Sequence, residues 1–515
     1  MTRTSFLPLF IFLLAGCSAT KVERQLTSPE TLLGYGVDSI GFLKASPFLK
    51  AHMNNGNLYV FSSWDVEKEG RTITGIGILL DPMRDTVDFT RNVLGLDSVA
   101  ILETNVLSKS GAATAITVLT GITVAVTIFC ITNPKTCFGS CPTFYASDGD
   151  SLRLQAECFS SSISPSLEAT DIDALYHVQP VNGEVTVKMR NEALETHVVR
   201  HVDLLAVPRK EGSRVFAGTD GQFWKSPSVL PPASAASPEG DCLPALLNAD
   251  WNERFSLTDE TDLSAKETIE LEFRVVPGRE YGLVVGSRQS LMPTYLLYQA
   301  LAYMGSDAGH WLAEIERKNI TSKQGAIKHL IGGIEIATRL PEGAWQSVGG
   351  IDEHGPLAVD MHMTPLGRFS DTTLSVQLRM TKGAWRLDYV ALAELSGPLL
   401  SVRLHPRSVF KEGEEDKEAR AILLDTTQTL VTLPGDSYDL QYTLPGAEGE
   451  YELFLESRGY YLEWIRKEWI EEQNPLLLAQ MFLDPGNALK RLAPEFKRVE
   501  QSMEDCFWRS RYAKP

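Results

Sequence analysis

No Gly-x-Ser-x-Gly elbow, His-Glu-x-x-His pair, Walker-type Gly-Lys-Ser/Thr loop or Gly-x-Gly-x-x-Gly fingerprint occurs in this chain. Each of those motifs serves a physical need: a strained nucleophile, two imidazoles on one helix face, or backbone N–H groups around a phosphate. Without them the usual signatures of hydrolytic and nucleotide chemistry are missing. Ser39 has only a trailing glycine, Gly41, and Gly75-Ile76-Gly77 lacks a third. Basic residues are also in deficit, 48 Lys and Arg against 66 Asp and Glu, for a net charge of −18. Nucleic acid, whose binding rests on Lys and Arg neutralising phosphates, is therefore not an expected partner. No catalytic residue, cofactor or metal is assigned from the sequence.

What is present begins at the N-terminus. Arg3 supplies a positive start, Phe6 to Leu14 a short apolar stretch broken only by Pro8, and Leu14-Ala15-Gly16-Cys17 ends it with small residues. About ten apolar residues is half of what a membrane-crossing helix needs, so residues 1–16 read as a signal peptide. The Leu-Ala-Gly-Cys tetrad resembles the bacterial lipobox. That resemblance implies cleavage before Cys17, lipid on its thiol, and durable attachment by several acyl chains. Membrane lipid is then a partner through Cys17. Ser18 in place of Asp implies the outer membrane, with the periplasmic or surface face left open.

Six cysteines remain: Cys130, Cys137, Cys141, Cys158, Cys242 and Cys506. An exported chain favours disulfides, and Cys130, Cys137, Cys141 and Cys158 are close enough in sequence to be the candidates. Three thiolates at Cys137, Cys141 and Cys158 as a zinc set is the competing reading.

The pattern along the chain predicts a mainly β (α+β) protein with several antiparallel sandwich or barrel-like units, a few helices and a helical C-terminal tail. Residues 17–35 are polar and read as a tether. Residues 36–108 carry short β runs at Leu58 to Phe61, Thr72 to Leu80 and Ser98 to Leu102, a small antiparallel domain. Residues 137–210 form a Cys-containing β module, with turn signals at Asp148-Gly149 and Asn182-Gly183 and strands at Glu184 to Arg190 and Val198 to Val207. Residues 211–250, rich in Gly, Pro, Ala and Ser, read as a linker or long loop. A mixed α/β region spans 251–345, with helices at Pro293 to Met304 and Ala308 to Lys318. A β-sandwich spans 346–455, and a helical tail 456–515 carries a Tyr461, Trp464, Ile465, Trp469 stripe.

Residues 109–136 are the most unusual. Between Lys109 and Lys135 lie 25 residues without a charge, long enough for a membrane helix. Thr114, Thr117, Thr120, Thr123 and Thr127 recur at helical steps, while Gly111 and Gly121 permit close packing. A membrane span through residues 111–132, a buried helix and a pair of core strands stay open.

Several polar pairs invite a ligand reading. His197 and His201 are one helical turn apart, but their β-branched neighbours predict a strand, which separates them by about 13 Å. Asp171-x-Asp173 and Asp360-x-His362 read as solvated or capping groups. Asp148-Gly149-Asp150 has only the start of a calcium loop. Trp345, Trp385 and Tyr389 are the candidates for stacking on a sugar ring, against the alternative that they fill a core.

Cys141-Pro142-Thr143-Phe144-Tyr145, the Asp148-Gly149 turn, and Asn191-Glu192-Ala193-x-Glu195-Thr196 leading to Asp203-Leu204-Leu205 resemble a module of bacterial envelope lipoproteins. The resemblance covers about 70 residues and implies no activity. Asn191 and Glu192 are expected to turn a hairpin, and Glu195 to bond a neighbouring strand. The combined reading is a non-enzymatic β-rich scaffold or binding module for another envelope component. A glycan-binding or glycan-processing lipoprotein, and a membrane-inserted assembly subunit, are the alternatives.

Overall fold

The computed structural model describes residues 20–27, 29–34, 49–53, 57–80, 86–109, 142–160, 162, 168–193, 195–305, 330–352, 354–432, 435–446, 451–463 and 472–509. Cys17, Ser39, the apolar run 111–132 and the expected helix at 308–318 lie outside them. The fold is mainly β with a few helices, as the alternating patterns predict, and its sheets are antiparallel. Among the described residues no sheet closes into a barrel, and no helix is long and apolar enough to cross a membrane.

The N-terminal sheet has six strands, in the spatial order Thr20–Thr27, Val99–Lys109, Leu49–Met53, Leu58–Glu67, Thr72–Leu80 and Thr86–Gly95. Leu32, Leu49, Phe61, Trp64, Ile73 and Leu102 make its core. Gly75 is required by close approach, because a Cβ there would lie 2.3 Å from the Phe61 ring. The tether expected over 17–35 is corrected. Thr20–Thr27 is a strand paired along Val99–Lys109, with Thr20 opposite Lys109, and Leu32 of the helix Pro29–Gly34 is buried.

The expected Cys-containing module is not a separate unit, because two of its strands also pair with strands about 200 to 270 residues away. Glu184–Arg190 lies between Thr143–Ser147 and Ser437–Thr443. Glu195–Pro208 lies between Tyr451–Glu463 and Val402–Leu404. The two sheets enclose Phe144, Val187, Val202, Leu204, Leu440 and Tyr442. Burying side chains of that size is worth about 1.5–3 kcal/mol each, a gain that neither half of the sequence obtains alone.

A second pair of sheets is built from Glu280–Gln289 between Trp385–Glu394 and Asp360–Arg368, facing Lys266–Arg274, Thr373–Thr381, Ile334–Arg339 and Trp345–Ile351. Ile269, Phe273, Leu283, Val285, Leu378 and Trp385 fill its core. Helices Met292–Met304, Pro475–Leu483 and Pro485–Lys497 pack on that core. Asn474 caps the second of these by accepting from the Leu477 N–H at 3.2 Å, the usual way to satisfy an orphan donor.

Two further expectations change. The linker at 211–250 carries short strands at Arg214–Ala217, Phe223–Ser226, Val229–Leu230 and Ser234–Ser237, each bonded into a sheet. Pro and Gly there punctuate a folded strap. The helical tail begins later than expected, because Tyr461 belongs to the strand Tyr451–Glu463 and is fully buried.

Candidate functional site

A concavity of about 350 Å³ lies where the two sandwiches meet. Tyr145, Arg153 and Leu154 border it from one sandwich, Trp251, Glu253, Arg288 and Leu357 to Val359 from the other, and Glu504 from the C-terminal helix. Trp251 is 38% exposed and sits at φ 65°, a left-handed conformation that a bulky L-residue adopts at a cost of about 1–2 kcal/mol. The Arg153 guanidinium lies 4.7 Å from its ring centroid and the His177 ring 4.5 Å. Cation–π attraction and stacking hold the strained indole at the mouth of the cleft.

The floor is ionic. Arg288, almost fully buried, forks onto Glu253, donates to Glu504 at 2.7 Å and to the Pro356 carbonyl at 2.7 Å. Arg386 reaches the same two carboxylates at 3.4 and 2.8 Å. Burial works against the Arg288 charge, but the Glu253 hydrogen bond and the charges of Glu253 and Glu504 hold its pKa above the usual range. A buried fork of this kind is geometrically specific, and it leaves both glutamates matched by cations.

Asp388 lies behind this network, 1% exposed. Burial, reinforced by the charges of Glu253 and Asp250, pushes its carboxyl up to about 6. The backbone dipoles of Trp251 and Asp250 act the other way without closing a hydrogen bond of good geometry to either oxygen.

The aromatic candidates do not assemble into a platform. Trp385 is fully buried in the core, so its reading as a ligand-binding residue is corrected. Tyr389 is half-buried against the separate cluster of Phe216, Val284, Met361 and Met363. Trp345 is half-exposed on another sheet, with the Arg339 guanidinium 5.9 Å from its ring.

Among the cysteines, Cys17, Cys130, Cys137 and Cys141 lie outside the described residues. Cys158 is a free, fully buried thiol that donates to Asp173 at 2.9 Å. Burial first, then the Asp173 and Asp171 charges, push its pKa well above normal, which makes it an inert proton donor. No disulfide forms at Cys158 among the described residues, and its three expected partners lie outside them. Asp173 is buried and Asp171 accepts from the Phe159 N–H at 3.0 Å, so this pair is not a solvated turn.

His197 and His201 do sit on one strand, but a bulge between Val199 and His201 sends them to different surroundings. His197 is sealed beside Glu195, its Nε2 2.8 Å from that carboxylate, and burial lowers its pKa to about 3. His201 is near the surface and faces Glu456 at 3.1 Å. Asp360, expected to be solvated, is buried 2.9 Å from His362. Asp148 caps its turn, accepting from the N–H groups of Asp150 and Ser151 at 3.0 and 2.7 Å.

The segments Thr143–Tyr145 and Asn191–Glu192 meet in space. Glu192 accepts from Thr143 at 2.9 Å and from Tyr145 at 2.7 Å. The expected hairpin at Asn191-Glu192 is instead a crossing between two sheets, and Asn191 bonds the carbonyls of Glu195 and Thr432 at 2.9 and 3.1 Å. The cleft was not legible beforehand. Trp251 follows a segment whose composition signals a loop, and Arg153, Arg288 and Glu504 are far apart in the chain.

Fold and cleft together define a multi-sheet β protein with a helical C-terminal cover. No family model matches the chain, and no curated protein matches it. Among solved structures it is similar to BuGH86wt in complex with neoagarooctaose, at 6% identity and a TM-score of 0.17, covering 45% of this chain and 34% of that one. It is also similar to a GH31 alpha-xylosidase from Xanthomonas citri, at 8% identity and a TM-score of 0.14, covering 81% of this chain and 37% of the other. The chain thus spans about a third of the length of either. Likeness at this level carries no argument about function.

Proposed function

We propose that the chain is a cell-envelope lipoprotein, acylated at Cys17, that acts as a non-enzymatic β-rich binding module for another envelope component. The Trp251 cleft is the surface that engages that component. The observation that carries this reading is the pairing of a strained, partly exposed indole with a floor whose acids are neutralised by Arg288 and Arg386. A glutamate held in an ion pair is poorly placed to exchange protons, whereas a rigid aromatic wall over a shaped concavity favours recognition. The test is site-specific photo-crosslinking from position 251 in intact cells, alongside an Arg153→Ala variant. One discrete adduct, lost in the variant, is the expected result. Crosslinking no different from that of a probe at position 345 sinks the proposal.

One observation favours a second reading, a membrane-inserted assembly subunit using residues 111–132. Thr20 stands opposite Lys109, so Cys17 is three residues before one strand end and Gly111 two residues after its neighbour. The chain leaves one end of the sheet toward both segments, an arrangement in which one bilayer can receive both. A Cys17→Ser variant separates the readings. Retention through an alkaline wash supports insertion, and release without detergent rejects it.

A further inference from the structure

Away from the cleft, two adjacent strands of one sheet bring a histidine and two carboxylates together. Asp203 on Glu195–Pro208 stands directly opposite Glu456 on Tyr451–Glu463, which puts both side chains on one face. The bulge after Val199 turns His201 to that face as well. The ligand atoms of His201, Asp203 and Glu456 lie within 4.8 Å of one another, and among the described residues they form the one such group. His405 adds a second imidazole, its Nδ1 2.8 Å from Asp203. We propose that His201, Asp203, Glu456 and His405 form a binding site for a divalent transition-metal ion of the zinc class, for which Arg403 competes.

Two facing carboxylates with side chains 3% and 10% exposed demand a cation. Arg403 supplies one, donating to Asp203 at 2.8 Å and to both Glu456 oxygens, the second also at 2.8 Å. Its side chain is 44% exposed and comes from the short neighbouring strand Val402–Leu404, so it can swing into water when a metal ion takes its place between the two carboxylates. A guanidinium offers the imidazole lone pairs only N–H hydrogen bonds and no empty orbital for a coordinate bond. A divalent ion has twice the charge and takes imidazole lone pairs together with carboxylate oxygens. Tetrahedral coordination with bonds of about 2.0–2.2 Å sets donor atoms roughly 3.4 Å apart. The present spacing reaches that with side-chain adjustment, while paired strands hold the Cα frame. Two histidines and two carboxylates are a donor set that suits zinc better than calcium or magnesium.

The test is titration of the full, untagged, chelator-treated chain with zinc chloride by calorimetry, repeated with cobalt(II) for its visible absorption. Saturable binding to one site, with tetrahedral-type cobalt bands, is expected. His201→Ala weakens that site at least about tenfold, and Arg403→Gln tightens it several-fold because the competing cation is gone. Circular dichroism and thermal melts confirm that each variant is folded, and His405→Ala, at a half-exposed position, provides a variant that leaves the sheet intact. Absence of saturable binding in both the unmodified chain and Arg403→Gln overturns the proposal. So does an affinity indifferent to His201→Ala, or one that weakens in Arg403→Gln.

Discussion

Trp385 and Tyr389 stand four residues apart on one strand and face opposite cores, because Asp388 is an extra residue where Gly286 and Ser287 pair with Tyr389 and Leu387. On an unbroken strand, residues of the same parity share a face. The bulge flips that parity, and it sets the buried carboxylate of Asp388 behind the cleft. The first prediction concerns the two tryptophans. Trp385→Ala removes a fully buried indole and lowers stability by about 3–5 kcal/mol. Trp345→Ala, at a half-exposed position, changes it by about 0.5 kcal/mol or less. Urea denaturation of both variants checks this, and comparable losses would contradict the assignment of Trp385 alone to the core.

Asp388 makes stability depend on pH in an unusual direction. Its folded pKa, about 6, is above the ordinary aspartate value of 3.8. Between those values the native state binds more protons than the unfolded one, so stability falls as pH rises through that window and the penalty is complete above about pH 6. The Asp388→Asn variant should therefore be more stable at pH 7.5 by about 1–2 kcal/mol, less than the full shift because a buried amide at this position also lacks partners. At pH 4 it should be nearly equal to the parent. Denaturation curves at the two pH values decide the matter, and a gain that does not grow with pH is the contrary result.

Arg288 is the keystone of the ionic floor. Arg288→Ala leaves Glu253 and Glu504 to Arg386 alone and should cost about 3–5 kcal/mol, the usual consequence of removing one partner of a buried pair. A double variant, Arg288→Met with Glu253→Leu, should recover most of that loss by replacing charge with packing. Thermal melts of the single and double variants test the recovery, which fails if the loss comes only from lost volume.

Glu192 ties two sequence motifs together. Tyr145→Phe and Glu192→Gln should each cost about 1–2 kcal/mol, since the Tyr145 hydroxyl donates to the carboxylate at 2.7 Å. Combining them should cost less than the sum, with a coupling of about 0.5–2 kcal/mol. Strict additivity in the cycle would show that the contact contributes nothing.

Much of the local structure was legible in the chain. Thr72–Leu80 and Glu184–Arg190 run as strands over the predicted residues, because β-branched residues at period two favour a half-buried pleat. Asp148-Gly149 turns as expected, with Gly149 at φ 99°. Asn182 and Gly183 also adopt positive φ, but the turn joins a single bridge between Val181 and Glu184, since the strand that would complete a hairpin pairs elsewhere. The strap at 214–237 has the sequence of a loop because Gly, Pro and Ser report turn chemistry and carry no signal about the very short strands between turns.

Sequence alone determined the mainly β class, most strand positions, the acidic balance and the absence of familiar catalytic motifs, because these depend on residue type and short-range period. Tertiary structure alone decided which strands pair, that residues 142–208 and 402–463 build one sandwich, and where the cleft falls. It also decided the faces of His197 and His201, and of Trp385 and Tyr389. The physical reason is the same in each case. Alternation along a strand specifies two faces without naming the partner or core each will meet, and one extra residue in a strand exchanges them.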